Sequence, residues 1–192
     1  GADQHPTGFE PGIYERIYQI GDQGWSDAVN PSLNQKDTMP EPSAVLIVHN
    51  LSTIFANGNG GLHALDRLSF EVCPEEFVCV LGPSGCGKST LLRALAGLIQ
   101  PTEGEIIFKG APLLGPLHGI GYVFQKANLM PWRSVLENIT LPLELRSIPA
   151  AQALERAEAM IDLVGLQGFA HVLPRDLSGG MAQRVALARA LV

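Results

Sequence analysis

Several kinds of residue are scarce in this 192-residue chain, and each shortage excludes a class of protein. The cysteines are few (Cys73, Cys79 and Cys86), and their spacing matches neither a zinc site nor a redox pair. Basic residues (13) are outnumbered by acidic ones (19), and the net charge of −6 argues against a general nucleic-acid surface. No apolar run approaches the ~20 residues that cross a bilayer, and no signal peptide is visible.

What the chain does contain suits an ordinary α/β domain of a reducing compartment. Hydrophobic residues make up 46% of the sequence and charged residues 17%, which is enough to build a buried core. Sparse cysteines without zinc or redox spacing fit such a compartment. The length by itself predicts one domain.

The most informative segment is residues 82–89, with the sequence GPSGCGKS. It fits G-x-x-x-x-G-K-[ST], the phosphate-binding loop of nucleotide hydrolases. An apolar run, residues 77–81, precedes it and predicts a buried strand, and a helix-forming run, residues 90–96, follows it. The motif therefore lies between a strand and a helix N-terminus, where its mechanism requires it. The alternative is an ordinary glycine-rich turn.

This arrangement has the chemistry of an anion site. Glycines let backbone N–H groups turn inward, and the helix dipole adds partial positive charge at the same place. Lys88 can reach the β- and γ-phosphates, and the Ser89 hydroxyl can ligate Mg²⁺. Cys86 lies within the loop, either as a tolerated small residue or as a thiol that reagents can reach.

A second glycine turn occurs in residues 177–184, LSGGMAQR, before a helix-forming run at 185–191. Ser178 and the glycines after it form either a capping turn or a second anion site. Together with the phosphate loop, this segment resembles the signature motif of ABC-type ATPases, LSGGQ in its common form, with Met181 in place of glutamine. The resemblance covers residues 43–192. It implies an α/β fold of the P-loop NTPase (ABC ATPase) type with an antiparallel β-subdomain and a helical insert.

Two further positions resemble functional residues of that family. Gln125 follows a predicted central strand, residues 120–124, and corresponds to the Q-loop glutamine that contacts Mg²⁺ and water, unless it is a simple strand cap. Phe55 stands where an aromatic stacks on adenine, unless it is a core residue. The resemblance implies ATP and Mg²⁺ as cofactors, Lys88 and Gln125 as catalytic residues, and Ser89 and Gln125 at the metal. The nucleotide-binding residues that it implies are Phe55, Gly82, Ser84, Gly85, Cys86, Gly87, Lys88, Ser89, Thr90, Ser178, Gly179 and Gly180.

Elements that follow the signature helix in this family do not occur in these residues. They are a strand ending in an Asp-Glu pair, which completes the Mg²⁺ site and polarises water, then a D-loop and a switch histidine. The sequence begins at Gly1 and ends at Val192. We therefore expect a fragment of a longer polypeptide, truncated before the Walker B motif and inactive alone as an ATPase.

The start of the chain differs in composition from the rest. Residues 1–43 are rich in Gly, Pro, Asn, Asp and Gln, which predicts a mobile extension. Within it, Ile13, Ile17 and Ile20 with two tyrosines predict one short amphipathic helix, either transient or docked on a partner. Residues 44–192 are expected to form a partial ABC ATP-binding domain.

In that domain, strands are predicted over residues 44–48, 68–72 and 105–109. Glu75 stands where many relatives have glycine, and a type I turn without positive φ would accommodate it.

A helical subdomain is expected at about residues 126–176. The capping box of Ser134 and Glu137 opens one helix, which should end or kink near Pro142. A second helix should start around Pro149 and end at a Gly165 cap. Its buried face is predicted to consist of Leu154, Ala157, Ile161 and Val164.

Residues 129–138 resemble the corresponding stretch of importer ATPases for nitrate, sulfonate and taurine. Trp132, within that stretch, either packs in the core or anchors an interface. The resemblance implies a second ATP-binding subunit packed head to tail across ATP, transmembrane permease subunits, and indirectly a solute-binding protein, with no nucleic acid. It places the protein in the cytoplasm, peripherally on the cytoplasmic face of the cell membrane.

The function implied is that of an ATP-binding subunit of an ABC importer, coupling ATP binding and hydrolysis to transport of a small solute. One alternative is a soluble ABC ATPase of DNA repair or translation. Another is a nucleotide-binding fragment without turnover. The acidic charge and residues 129–138 favour the transporter over the nucleic-acid machine.

Overall fold

The computed structural model describes residues 14–21, 24–27, 44–56 and 61–192. The chain divides into two compact units, Gly1–Leu117 and His118–Val192. Each unit has its own buried apolar cluster. Among the helices in these described ranges, none combines the length and the apolar character needed to cross a membrane.

An antiparallel sheet forms most of the first unit. Its strands are β3 (Leu46–Phe55), β4 (Leu62–Val72), β6 (Glu103–Phe108) and β7 (Ala111–Pro112), in the order β4-β3-β6-β7. The predicted strands are confirmed, with β3 and β4 longer than expected. Alternating apolar residues turn one face of the sheet inward, as period-two patterning requires. The buried members are Val48, Leu51, Leu65, Leu68, Phe70 and Ile106.

A smaller sheet in the same unit has the order β2-β1-β5, built from β1 (Tyr14–Gly21), β2 (Gly24–Asp27) and β5 (Glu76–Leu81). The strand β1 runs parallel to β5, with Tyr14 opposite Glu76 and Gln19 opposite Leu81. The amphipathic helix predicted here is therefore wrong, and Ile13 lies outside the described residues. Isoleucine and tyrosine favour strands, and the backbone edge of β5 supplies a hydrogen-bonding partner for that propensity.

The strand before the phosphate loop exists as predicted, but it is not buried. Phe77 is 61% exposed and Leu81 is 47% exposed, while the residues between them are half-buried. An apolar run favours a strand by propensity, whereas burial depends on what packs over its faces. The helix α1 (Lys88–Leu95) follows the loop, and Gly97, with φ of 71°, lies just after its C-cap residue Ala96.

The turn between β4 and β5 also differs from the prediction. Glu75 has φ of 60°, in the left-handed region, so the turn is not one that avoids positive φ. The Glu76 carboxylate accepts a hydrogen bond from the Cys73 backbone N–H at 2.7 Å. That bond helps to close the turn around a residue type that rarely adopts this conformation.

The second unit is helical. It contains α2 (Val135–Leu145), α3 (Ala150–Leu163), a 3₁₀ turn (Pro174–Asp176) and α4 (Gly179–Leu191). The Ser134–Glu137 capping box is confirmed, since each side chain bonds the other residue's backbone N–H. The helices enclose one apolar cluster, formed by Val135, Ile139, Ala157, Ile161, Leu166, Val185 and Ala188.

Two details of these helices depart from the sequence patterns. Leu154 is exposed and Ala153 is buried instead, so the predicted face of α3 was rotated by one residue at its start. Pro142 does not end α2, which continues to Leu145. The fully buried Leu143 anchors this last turn despite the backbone donor that proline lacks.

The central strand predicted at residues 120–124 is wrong, because these residues are irregular. A strand requires a hydrogen-bonded neighbour, and no described strand of this unit lies beside them. The segment instead approaches the end of α4, where a Cβ on Gly121 would lie 2.7 Å from the Ala190 carbonyl oxygen. Tyr122 and Phe124 pack edge to face, with ring centroids 4.6 Å apart.

Candidate functional site

The phosphate loop (residues 82–89) connects β5 to α1 in the first unit. Gly85 and Gly87 have φ of 84° and 97°, a conformation that turns the backbone in a way side chains oppose. A Cβ on Gly87 would lie 2.2 Å from the Ala64 carbonyl oxygen of β4. Glycine is therefore required there twice, by its dihedral angle and by the close approach of the neighbouring strand.

The Lys88 side chain folds back over this loop. Its Nζ donates to the carbonyl oxygens of Gly82 and Pro83, both at 2.7 Å, and lies 3.3 Å from Cys86 Sγ. The ammonium is thus held against the loop, with two carbonyl dipoles as its anchors. A flexible cation in this position can bind an anion that enters the same loop.

The start of α1 suits a polyphosphate. A helix leaves its first N–H groups without intrahelical partners. Here the N-cap is Gly87, no side chain caps the helix, and its first turn has no acidic residue. Gly82, Ser84, Gly85 and Ser89 are exposed, and Thr90 is half-buried. The donor set therefore fits ATP phosphates, and the exposed Ser89 hydroxyl fits a Mg²⁺ ligand.

Phe55 ends β3 and is 43% exposed, which does not support a core role for this ring. It pairs with Leu62 across the β3–β4 ladder, two residues before the Ala64 carbonyl that Gly87 approaches. Phe55 therefore lies at the end of the sheet that contacts the phosphate loop. The structure brings these two predicted features together within one unit.

Gln125 lies in the second unit, and its position is not the end of a strand. Its side chain is exposed, in the irregular stretch before α2. Its backbone carbonyl accepts a hydrogen bond from Gln183 Nε2 of α4. Gln125 is therefore connected to the helix that begins at the second glycine turn.

That second turn (residues 178–180, the signature turn) opens α4. The Ser178 hydroxyl accepts from the Met181 backbone N–H at 3.3 Å, so Ser178 is the N-cap. Gly179 and Gly180 are exposed, and a Cβ on either would meet nothing within 4 Å. Packing within this unit does not require glycine at either position. The absence of a side chain leaves the first N–H groups of α4 open to an anion.

Residues that organise the second unit were missed in the sequence. Asn138 is completely buried in α2 and binds the turn that carries Trp132. Gln183 and Arg189 bind the backbone after residue 124. On a single sequence these polar residues resemble a solvated helix face, and no spacing distinguishes them.

Known proteins resemble this chain over the same strands and helices. The family model described as ABC transporter matches residues 65–192, from β4 through α4. The chain belongs to the ABC transporter family. An uncharacterized ABC transporter ATP-binding protein of Methanocaldococcus jannaschii is 51% identical over 146 residues, covering 76% of this chain and 55% of that protein.

Two further relatives of this ABC chain are informative. The taurine import ATP-binding protein TauB of Rhizobium johnstonii is 45% identical over 148 residues, covering 77% of this chain and 56% of that protein. A solved dimeric structure of an ATP-binding cassette, in a post-hydrolysis state bound to ADP and Pi, matches with a TM-score of 0.70 at 34% identity. That match covers 76% of this chain and 68% of the other. The chain spans about half the length of the curated relatives it matches.

These findings confirm the ABC ATPase fold and the resemblance to importer ATPases. ABC transporter ATP-binding proteins form the family, and its members bind ATP, typically with Mg²⁺. The roles of the individual site residues remain predictions.

Proposed function

We propose that this chain is the nucleotide-binding part of an ABC importer subunit that couples ATP binding and hydrolysis to the transport of a small solute. The observation that carries the proposal is the phosphate loop, with its uncapped helix N-terminus and the Lys88 ammonium held 2.7 Å from two loop carbonyls. The taurine import relative supports taurine as the solute, and the resemblance of residues 129–138 extends the proposal to sulfonates and nitrate.

In this proposal each residue of the phosphate loop has its own role in binding the nucleotide. Lys88 exchanges its contacts with Gly82 and Pro83 for phosphate oxygens, and the N–H groups at the start of α1 hold the remaining charge. The amides of Gly85 and Gly87 line the cradle, and Ser89 holds Mg²⁺. A Mg²⁺ ion held there would supply positive charge that offsets the charge of the phosphates. Gln125 orients water near the metal, and Phe55 stacks on adenine.

The signature turn is proposed to act on a second copy. Its open helix N-terminus and the space above Gly179 and Gly180 suit a phosphate that another subunit presents. The dimeric cassette bound to ADP and Pi supports such pairing. ATP would then favour the closed dimer and hydrolysis would release it, which gives a cycle driven by differential affinity.

The proposed partners are transmembrane permease subunits, and the proposed location is the cytoplasmic face of the membrane. The helical second unit would contact the permease, with Trp132 at the contact. The solute itself would be selected by the permease and a solute-binding protein.

Calorimetry on the full-length protein tests the nucleotide site. Lys88→Ala removes a charge from the cradle, and we expect Mg-ATP binding to weaken by roughly 2–3 kcal/mol. Lys109→Ala is the matched control, because Lys109 belongs to the same unit and lies over the Phe108 ring, 5.4 Å from its centroid. Equal ATP affinity for the wild type and Lys88→Ala would remove the basis of the proposal.

Measurements of ATP turnover and solute uptake test the signature turn and the transport role. Ser178→Arg fills the space at the signature turn, so ATP hydrolysis should stop while ATP binding to the single subunit persists. Ser147→Arg, at an exposed position between α2 and α3, is the control. With its permease, the wild type should drive ATP-dependent uptake of radiolabelled taurine, sulfonate or nitrate into vesicles. ATPase activity that responds to DNA or ribosomes, without solute uptake, would instead favour a soluble ABC ATPase of DNA repair or translation.

A further inference from the structure

Two side chains of α4 bind the backbone of residues 125–128, here called the Gln125 loop. Gln183 Nε2 donates to the carbonyl of Gln125. Arg189 donates to two carbonyls farther along the loop, with Nη2 at 2.9 Å from the Ala127 oxygen and Nη1 at 3.0 Å from the Asn128 oxygen. One helix therefore holds three of the four carbonyls in this loop.

The physical character of these bonds makes them effective anchors. The Arg189 guanidinium is half-buried, and burial lowers its pKa, although a guanidinium keeps its charge in proteins. Its planar fork fits two adjacent acceptors, and charge-assisted bonds are stronger than neutral ones. The loop itself belongs to no helix or strand, and Asn128 has φ of 46°. Its path therefore depends on what holds it from outside.

The same helix begins at the signature turn. Ser178 caps α4, while Gln183 and Arg189 follow five and eleven residues later on one continuous helix. A helix is rigid over such a length, so its N-terminus and these side chains move together. Any displacement of the signature turn is then transmitted to the backbone of Gln125.

We propose that Gln183 and Arg189 are positioning residues, which couple the signature turn to Gln125 and thereby set the rate of ATP hydrolysis. This inference rests on the proposed function, because it assigns Gln125 an action on bound nucleotide. Neither side chain touches the substrate in the proposal. They act through the loop they hold.

Arg184 offers a matched comparison. It lies on the same helix and also donates to two consecutive carbonyls, those of Val164 at 3.1 Å and Gly165 at 3.2 Å. These carbonyls end α3 and are not part of the Gln125 loop. Arg184→Gln therefore removes another arginine anchor of α4 without releasing the loop.

Limited trypsin digestion of the full-length protein tests the anchor. Lys126 is exposed in the centre of the loop, so cleavage after it reports how often the loop opens. Arg189→Gln and Gln183→Ala should each accelerate that cleavage by about tenfold, as expected for the loss of a strong hydrogen bond. Arg184→Gln should not change it. Arg189→Lys, which retains the charge but not the fork, should fall between. Unchanged cleavage after Lys126 in both loop variants would overturn the anchor.

Steady-state ATP hydrolysis tests the positioning role. In Arg189→Gln and Gln183→Ala we expect kcat to fall by about tenfold, with the Kd for Mg-ATP within about twofold of the wild type. Arg184→Gln should preserve kcat. A faster cleavage with unchanged kcat would overturn the positioning role, and so would a joint loss of ATP affinity and thermal stability. A wild type that hydrolyses no ATP would instead refute the proposed function, and it would refute the positioning role with it, while the digestion would still decide whether the anchor exists.

Discussion

The side chain of Asn138 and the backbone of Met130 exchange two hydrogen bonds. The Met130 N–H donates to Asn138 Oδ1 at 2.8 Å, and Asn138 Nδ2 donates to the Met130 carbonyl at 3.2 Å. The same Nδ2 lies 2.9 Å from the carbonyls of Arg133 and Ser134. A completely buried amide thus closes the turn at residues 130–134, which carries Trp132 with 73% of its surface exposed.

Replacing this amide should destabilise the second unit. Asn138→Ala removes the side-chain partner of the partly buried Met130 N–H and Arg133 carbonyl, and we expect a loss of about 2–3 kcal/mol in the free energy of unfolding. Thr140→Ala is the control on the same helix. Its hydroxyl donates to Glu144 at 2.9 Å in an exposed setting, and its loss should cost less than about 1 kcal/mol. Urea denaturation measures both, and equal costs would show that Asn138 does not hold the turn.

The positive φ of Glu75 predicts a stabilising substitution. A left-handed residue with a Cβ costs about 1–2 kcal/mol, and glycine relieves most of that cost. Glu75→Gly should therefore raise the free energy of unfolding by about 1 kcal/mol after its greater chain entropy is counted. Glu75→Ala keeps the Cβ and should change little. A Glu75→Gly variant that is less stable than the wild type would contradict the assigned turn geometry.

The capping box predicts a pH dependence. The Ser134 backbone N–H, and secondarily its hydroxyl, hold the pKa of Glu137 below its ordinary value of 4.5. A lowered pKa in the folded state stabilises the protein above the unfolded-state pKa, and this contribution is lost as pH falls through the folded-state value. Glu137→Gln can still cap the helix but does not titrate.

The stability advantage of the wild type over Glu137→Gln should therefore be constant above about pH 5 and shrink below pH 4.5. Urea unfolding at a series of pH values measures it. Glu144, whose pKa is lowered mainly by the hydrogen bond from Arg133, also interacts with the Glu137 charge, so both proteins are compared in a Glu144→Gln background. A difference that stays constant down to pH 3 would contradict a role for the ionised Glu137 carboxylate.

Trp132 predicts a specific effect on assembly. Its exposure does not support a core role and suits an interface anchor. In the full-length protein, Trp132→Ala should reduce co-purification with the permease and leave Mg-ATP affinity unchanged. Leu163→Ala, at an exposed leucine of α3, is the control. If the variant lost ATP binding or thermal stability while the complex remained intact, Trp132 would be a packing residue.

Local chemistry correctly predicted much of the backbone structure around the candidate site. The sequence was enough to predict the glycine conformations of the loop, the position of Lys88 and the helix that follows. These features depend on short-range spacing and on the backbone preferences of the residues themselves. The Ser134–Glu137 box was readable for the same reason. Patterns of this kind need no partner from elsewhere in the chain.

Predictions that depended on distant partners did less well. The isoleucines near the start of the chain had helical spacing, yet residues 14–19 pair with β5, because a sheet edge offers hydrogen bonds that spacing does not reveal. Residues 120–124 had strand character, yet they lie against the end of α4 without a strand beside them. The predictions that Phe77 and Leu154 are buried were wrong for a similar reason, since the exposure of a side chain depends on which surfaces pack against it.

The sequence by itself determined the family, the phosphate loop and the capped starts of α2 and α4, since these depend on a few adjacent residues and their backbone preferences. Only the tertiary structure decided that Asn138 closes the Trp132 turn and that Gln183 and Arg189 hold the loop after residue 124. Each of those bonds joins a side chain to a backbone carbonyl or N–H, groups that residues of almost every type carry. The backbone partner of each side chain therefore depends on the path of the chain, and the residue type at the partner position does not indicate it.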